Sequence, residues 1–513
     1  MLSTPLSRLP VRRSANSVAE TRTVTRDPGV HYGTDPGLGG PLFVTRAGST
    51  IVVTDALQSQ VERLGRLHVQ LDDDARRLAE VDALVAGGGA GLPPAARRGE
   101  ALIADARGMV RAGAERATAA RTALVAAIAA YSDAENRART EALELAQGRA
   151  SLLGPLFRLM LPGLVLAGGA TWLLMRDPQN RAAARDWFLA HPEVITSPAF
   201  VETVRMAVMS TDDAVGGIAG LPPYAMEVLL AAAGFSGVAG GGALVIAGGR
   251  QLGLFGETPV GMTRVATTVA ATAPQGVAQH LARVPEGNQV RIERYDAPGQ
   301  SPRFVVYVGP TETFSPVADS EPWDLSSNVN GVAGLEAGSL RATELAMRDA
   351  GITSDDPVQF VGFSQGGLLA TRLAASPEWN AAGLETFGAP AGNIVLPAGI
   401  DGMAVRNSDD FIPALAGPQL DHHLLQVERQ AFAPGSVIPS NLAAPAHQRD
   451  AYVATASVID QAQSSAVRDQ IVAMDAFTND YANAEGSSIT VMTYHGERNP
   501  TKVLPTATSS VFP

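Results

Sequence analysis

Five residues, Gly362-Phe363-Ser364-Gln365-Gly366, set a serine between two glycines in the pattern G-x-S-x-G. The run before them, "PVQFVGF" (357–363), is short and apolar and reads as a buried strand; the run after the serine, "QGGLLATRLAAS" (365–376), reads as a helix. A sharp strand-to-helix turn at this place lifts the serine hydroxyl above the edge of a sheet. Side chains at 362 and 366 would collide with the strand or the helix, so glycine is required at both. The turn also aims the backbone N–H of Gln365, at the helix start, toward an oxygen on which negative charge develops. This is the chemistry of a nucleophilic serine, and a hydroxyl is a poor nucleophile unless a base takes its proton. A histidine and an acid are therefore required downstream, in the order serine, acid, histidine.

Candidates for both are present. "VRNSDDFIPAL" (405–415) sets Asp409 and Asp410 directly after a predicted strand, at the sheet edge where the acid belongs. The histidines that follow are His422, His423, His447 and His495. The first two begin the next predicted strand, at its wrong end. His447, in "PAHQRDAYVATASVID" (445–460), lies on a loop after that strand and before a helix, the topological place for the base. His495, in "VMTYHGERNP" (491–500), ends a strand and is the alternative base.

With these motifs quoted, residues 285–500 resemble an α/β-hydrolase of the lipase/esterase type, with "GFSQGG" as its elbow and "DFIP" similar to the family's D-x-[VI]-P acid motif. The resemblance selects Asp410 and leaves Asp409 as a neighbouring cap. The spacing H-x-x-x-x-Y-x-x-T from His447 is similar to the histidine region of actinobacterial-type secreted or envelope hydrolases of this fold. "RFVVYVGPTETF" (303–314) resembles the glycine-threonine loop of lipase-like hydrolases, which implies Thr311 as a second oxyanion donor beside Gln365, with Gly309 giving room. Pro310 stands between them and has no N–H to give. The implied reaction is acyl transfer on an ester or lipid-like small molecule, with no metal and no organic cofactor. The alternative is a catalytically degenerate hydrolase-fold protein serving as a secretion-linked binding or structural module.

These residues need a scaffold, and from about residue 285 strands and helices alternate. "NQVRIERYDA", "RFVVYVGP", "PVQFVGF", "GLETFGAP", "GMAVRNS", "HLLQVERQ" and "SSITVMTYH" read as strands. "GSLRATELAMRDAG", the segment after Ser364, and one long helix from Arg449 to Phe477 lie between them. The pattern predicts an α/β domain over 285–513 with a mainly parallel, doubly wound sheet, its ligand site at the carboxyl ends of the strands.

The whole chain has 513 residues, which points to more than one unit. Its composition, 46% hydrophobic and 18% charged, is that of a folded protein. A formal charge of -12 argues against nucleic acid as a partner, because phosphate contacts need clustered Lys and Arg. There are no cysteines, which removes thiolate nucleophiles and disulfides, and the eight histidines show no H-E-x-x-H spacing.

Residues 1–48, rich in Pro, Gly, Thr and Arg, read as a flexible leader without the apolar core of a secretory signal. From Ile51 apolar residues recur at helical spacing, "AGGGAGLPP" (86–94) breaks the helix, and a second helix runs from 95 to 149. A helical hairpin over 49–150 is implied, able to receive a helical partner protein through residues 50–150. Tyr131 and Glu135 share one face of it, and in that respect it resembles the hairpin proteins of type VII secretion, although a W-x-G turn is absent. Residues 151–284 form an apolar region. Its stretches 159–175 and 228–249 carry no charge and have the length of membrane-spanning or membrane-lying segments. The expectation is a membrane-associated chain or one exported without a conventional signal, and otherwise a cytoplasmic one.

Overall fold

The computed structural model describes residues 42–46, 49–52, 55–86, 93–126 (96 excepted), 186, 189–190, 192–209, 230, 232–233, 237–419, 423–432, 436–440, 442 and 444–499. Tyr131, Glu135, His422, the apolar stretch 159–175 and the predicted second helix beyond residue 126 lie outside them.

Over the described residues the protein is α/β, built on one ten-stranded mixed sheet. In chain order its strands are β1 (Leu42–Arg46), β2 (Ser49–Val52), β3 (Val260–Ala270), β4 (Val290–Asp296), β5 (Arg303–Val308), β6 (Pro357–Phe363), β7 (Asn380–Phe387), β8 (Asp401–Asn407), β9 (Leu425–Arg429) and β10 (Ser488–Arg498). Across the sheet they run β2-β1-β9-β8-β7-β6-β5-β4-β10-β3. Strands β5 to β9 are mutually parallel, while β4, β10 and β3 on one side and β1 and β2 on the other are antiparallel additions.

The parallel centre follows from composition. "RFVVYV" and "PVQFVGF" are almost unbroken apolar runs, as a strand covered on both faces must be. Alternation then divides the side chains. Val305, Tyr307, Val361 and Phe363 join one core, under the helices Gly276–Arg283, Arg449–Asp460 and Ser465–Ala482. Phe304, Val306, Val308 and Phe360 join the other, under the helices Gly338–Asp349 and Gln365–Ala375.

The structure departs from the sequence-based boundaries in three places. The sheet reaches well outside 285–513: β3 and the helix Gly276–Arg283 come from the expected linker, and β1, from the expected leader, pairs with β9. The helix predicted from Arg449 to Phe477 is two helices, Arg449–Asp460 and Ser465–Ala482. The stretch 228–249 overlaps the helix Gly237–Gln251, 15 residues long. At 1.5 Å per residue that is about 22 Å, short of the roughly 30 Å of a bilayer core. Its glycines serve close packing within the protein: a Cβ on Gly242 would stand 3.0 Å from Ala333 Cβ, and one on Gly240 2.9 Å from Leu230. Among the described residues no helix is long and apolar enough to cross a membrane.

Nearer the start, Asp55–Ala86 is helical, as is 97–126. These segments touch where His68 Nδ1 lies 3.0 Å from Thr118 Oγ1 and where Arg107 donates to Asp82 Oδ2 at 3.1 Å.

Candidate functional site

Ser364 follows the last residue of β6 and precedes the helix Gln365–Ala375, with φ 56° and ψ −122°. Only one other described non-glycine residue, Phe255, has positive φ. Such a conformation costs on the order of 1–3 kcal/mol and persists only when its surroundings fix it. Here Ser364 N–H donates to Phe387 O of β7 at 2.8 Å, and its carbonyl accepts from Gly367 N–H at 3.0 Å. The flanking glycines answer to sterics. A Cβ on Gly362 would lie 2.2 Å from Gly366 O, and one on Gly366 would lie 2.0 Å from Val308 O.

β8 ends at Asn407, and the turn beyond it carries both acids. Asp410 is buried. Its Oδ1 accepts from Ile412 N–H at 2.9 Å, and its Oδ2 accepts the Tyr452 hydroxyl at 2.8 Å and faces His447 Nδ1 at 2.6 Å. Asp409 points elsewhere: its two oxygens accept from Ala431 N–H and Phe432 N–H at 2.8 and 2.9 Å, stitching the acid turn to the segment after β9. Burial pushes its carboxyl up to about 6, against the opposing pull of those two amides. Two adjacent aspartates thus take different roles, one facing the histidine and one clasping a loop.

His447 ends a one-turn 3₁₀ segment, Pro445–His447. Its ring stacks on Phe363, with centroids 5.3 Å apart and planes 23° from parallel. Its Nε2 stands 2.8 Å from Ser364 Oγ. An ionised carboxylate can only accept, so Nδ1 carries a proton toward Asp410 and Nε2 is left to accept from the serine hydroxyl.

Hydroxyl, imidazole and carboxylate therefore stand in one chain, 2.8 and 2.6 Å apart. Such a chain can move a proton from oxygen to Nε2 while the carboxylate steadies the imidazolium that forms.

The structure does not bring His495 to this place. It lies on β10, separated from β6 by β5 and β4, so at about 4.8 Å per strand it is roughly 14 Å across the sheet. Its imidazole is 4.0 Å from Glu497. His423 precedes β9, at the opposite edge of the parallel strands from Ser364.

The two expected amide donors lie on the helix start after Ser364 and on the loop after β5, the strand next to β6. Gln365 is the first helical residue, so its N–H has no intrahelical partner. Its side chain is turned inward, Nε2 donating to Ser339 Oγ at 3.2 Å and to Asp324 O at 3.4 Å. Behind it Arg498, buried, donates to Asp324 Oδ1, Ser327 Oγ and Glu257, while Asp324 caps the helix Leu325–Val332. In the loop after β5, Gly309 N–H donates to Gln289 O, Pro310 has none, and Glu312 and Thr313 N–H both donate to Trp323 O. The Thr311 N–H donates to no backbone oxygen among the described residues, and its hydroxyl accepts from Asn328 Nδ2 at 2.9 Å.

Three participants escaped the sequence reading as individuals. Asn407, Tyr452 and Thr455 bind the acid turn to the histidine turn. The H-x-x-x-x-Y-x-x-T spacing held two of them; nothing in the sequence flags Asn407 beyond its place at the end of a strand. Among the described residues no group of three His, Asp or Glu side chains could hold a metal ion. Comparison of the chain with models of known protein families, with curated proteins and with solved structures found no match.

Proposed function

We propose that the protein is a serine hydrolase of the α/β-hydrolase, lipase/esterase type that cleaves carboxylic esters through an acyl-enzyme. One observation carries the reading: Ser364 Oγ, held at positive φ on a strand-to-helix turn, lies 2.8 Å from His447 Nε2, and His447 Nδ1 lies 2.6 Å from Asp410. A merely structural turn has no use for a strained serine aimed at an imidazole that is itself oriented by a buried acid.

In the first half-reaction His447 Nε2 takes the Ser364 proton as Oγ bonds to the ester carbonyl carbon, and the carbonyl electron pair moves onto oxygen. The Gln365 and Thr311 amides are the donors to that oxyanion. As it collapses, the bond to the alcohol breaks and the alcohol leaves with the proton held by His447. Water then repeats the sequence on the acyl-enzyme, releasing a carboxylic acid and restoring Ser364.

Apolar side chains exposed on the segments that follow the parallel strands favour an ester with an apolar acyl group. Phe314, Val395, Leu415 and Val437 are exposed on the segments that follow β5, β7, β8 and β9, the strand ends from which Ser364 also projects. Labelling with a fluorophosphonate probe tests the assignment. The folded wild-type chain is expected to label, and Ser364→Ala to lose the label while keeping its stability. A wild-type chain that stays unlabelled, or label that persists in Ser364→Ala, overturns it.

A further inference from the structure

Tyr452 lies one helical turn into Arg449–Asp460 and is fully buried. Its ring packs on Phe363, centroids 5.5 Å apart at 60°, and on His447, 6.1 Å apart at 83°. A phenylalanine would fill that space equally well, so the hydroxyl calls for a reason of its own. Asn407 N–H donates to the phenol oxygen at 3.1 Å. The single phenol proton is then directed to Asp410 Oδ2, 2.8 Å away, the same oxygen that faces His447 Nδ1.

We infer that Tyr452 is a positioning residue of this site: its hydroxyl fixes the Asp410 carboxylate in the orientation that holds His447 and thereby sets the proton affinity of the imidazole. The inference rests on the preceding reading of the site. Two donors share the charge of one oxygen, so the phenol draws off part of the stabilisation that Asp410 would otherwise give to a protonated His447.

The supporting frame is specific. Asn407 Nδ2 donates to Ala446 O at 2.8 Å, anchoring the turn that carries His447. Its Oδ1 accepts the Thr455 hydroxyl at 2.8 Å, anchoring the helix that carries Tyr452. Tyr452 and Thr455, three apart, share a helical face. Each position in the H-x-x-x-x-Y-x-x-T spacing therefore meets a different partner, His447 the serine, Tyr452 the acid, and Thr455 the asparagine that joins them. The titratable and charged groups around the phenol are Asp410, Asp409 in the same turn, His447, and Arg429, which reaches Thr455 at 3.4 Å.

The test is the titration of His447 followed by NMR on histidine-labelled full-length protein, its signal identified by loss in His447→Gln. In Tyr452→Phe the midpoint is expected to rise by about half a pH unit. With 3-fluorotyrosine at 452, a stronger donor that keeps the ring and the fold, it is expected to fall. Thr455→Val, which leaves both Asp410 contacts in place, is expected to leave it unmoved. A midpoint indifferent to the phenol, or one that Thr455→Val moves as far as Tyr452→Phe does, overturns the inference. Because the titration needs no turnover, a chain that fluorophosphonate fails to label would defeat the hydrolase reading separately.

Discussion

Replacing Gly366 by alanine should damage the protein far more than one methyl group suggests. The added Cβ would lie 2.0 Å from Val308 O, 2.5 Å from Val308 C and 2.6 Å from Gly309 O, where ordinary contact begins at 3.4 Å. The helix start and the end of β5 would have to separate by about 1.4 Å, the difference between 3.4 and 2.0 Å. All three obstructing atoms are backbone, so no rotamer change relieves the clash. Neither side yields easily. Val308 is paired with Val290 and Gly362, Gly309 N–H is held by Gln289 O, and the helix start is tied through Gly367 N–H to Ser364 O. Ordinary overpacking costs about 1–3 kcal/mol, and a backbone collision of this depth belongs beyond it, at roughly 4 kcal/mol or more. Any protein that still folds would carry Ser364 displaced by about 1 Å, enough to slow a positioned reaction by about 10²-fold. Urea denaturation, followed through the buried Trp323 and Trp379, reads the first effect, and the rate of fluorophosphonate labelling reads the second. Gly261→Ala on β3, where a Cβ meets nothing within 4 Å, serves as control and should stay within about 0.5 kcal/mol of wild type. If Gly366→Ala unfolds within about 1 kcal/mol of wild type and labels at the same rate, the steric account of the turn is wrong.

Two further outcomes follow from buried charge. Arg498→Met leaves Glu257 and Asp324 without the guanidinium that bridges them, and should lower the unfolding free energy by about 3–5 kcal/mol in the same urea assay; a loss under about 1 kcal/mol would refute the bridging role. Asp409 makes a pH-dependent prediction. Its folded-state value, about 6, stands above the ordinary 3.8, so the fold favours the protonated acid. The stability this confers is present below about pH 4 and is lost as pH rises through about 6. Asp409→Asn cannot ionise, so its stability relative to wild type should rise by about 2 kcal/mol between pH 4 and pH 7, over a constant offset for one lost amide bond. A difference that stays flat with pH would contradict it.

What could be read from the sequence divides along physical lines. Strands β5 and β6 announce themselves because burial on both faces demands apolar runs, and Ser364 because its turn demands glycine on each side. The pair Asp409 and Asp410, and His447, follow from where such strands must end, while the preference for Asp410 over Asp409 comes from the resemblance of "DFIP" to the family's acid motif. β1 is five residues, "LFVTR", within a Pro- and Gly-rich leader, and its pairing with β9, nearly four hundred positions away, leaves no local trace. The break between Asp460 and Ser465 is made by "QAQS", which contains neither Gly nor Pro, so helical periodicity runs through it unmarked. Asn407 is invisible for a related reason: its partners are Ala446 and Thr455, and only folding brings them within reach. Glycine-rich 237–249 misled in the other direction, because small residues permit close packing against a neighbouring helix as readily as they do within lipid.

The bond from Ser364 N–H to Phe387 O has a temporal consequence. It makes the serine's own amide a rung between β6 and β7, at the centre of the sheet rather than on a loop at its margin. Segments that open at little cost in free energy are those with few buried contacts, and this one is surrounded by them. The hydroxyl therefore keeps its orientation for as long as the central strands stay paired and surrenders it in the same cooperative event. Fraying of the outer strands β2 and β3 leaves it untouched. The orientation of the hydroxyl and the folded state have, at this residue, a single lifetime.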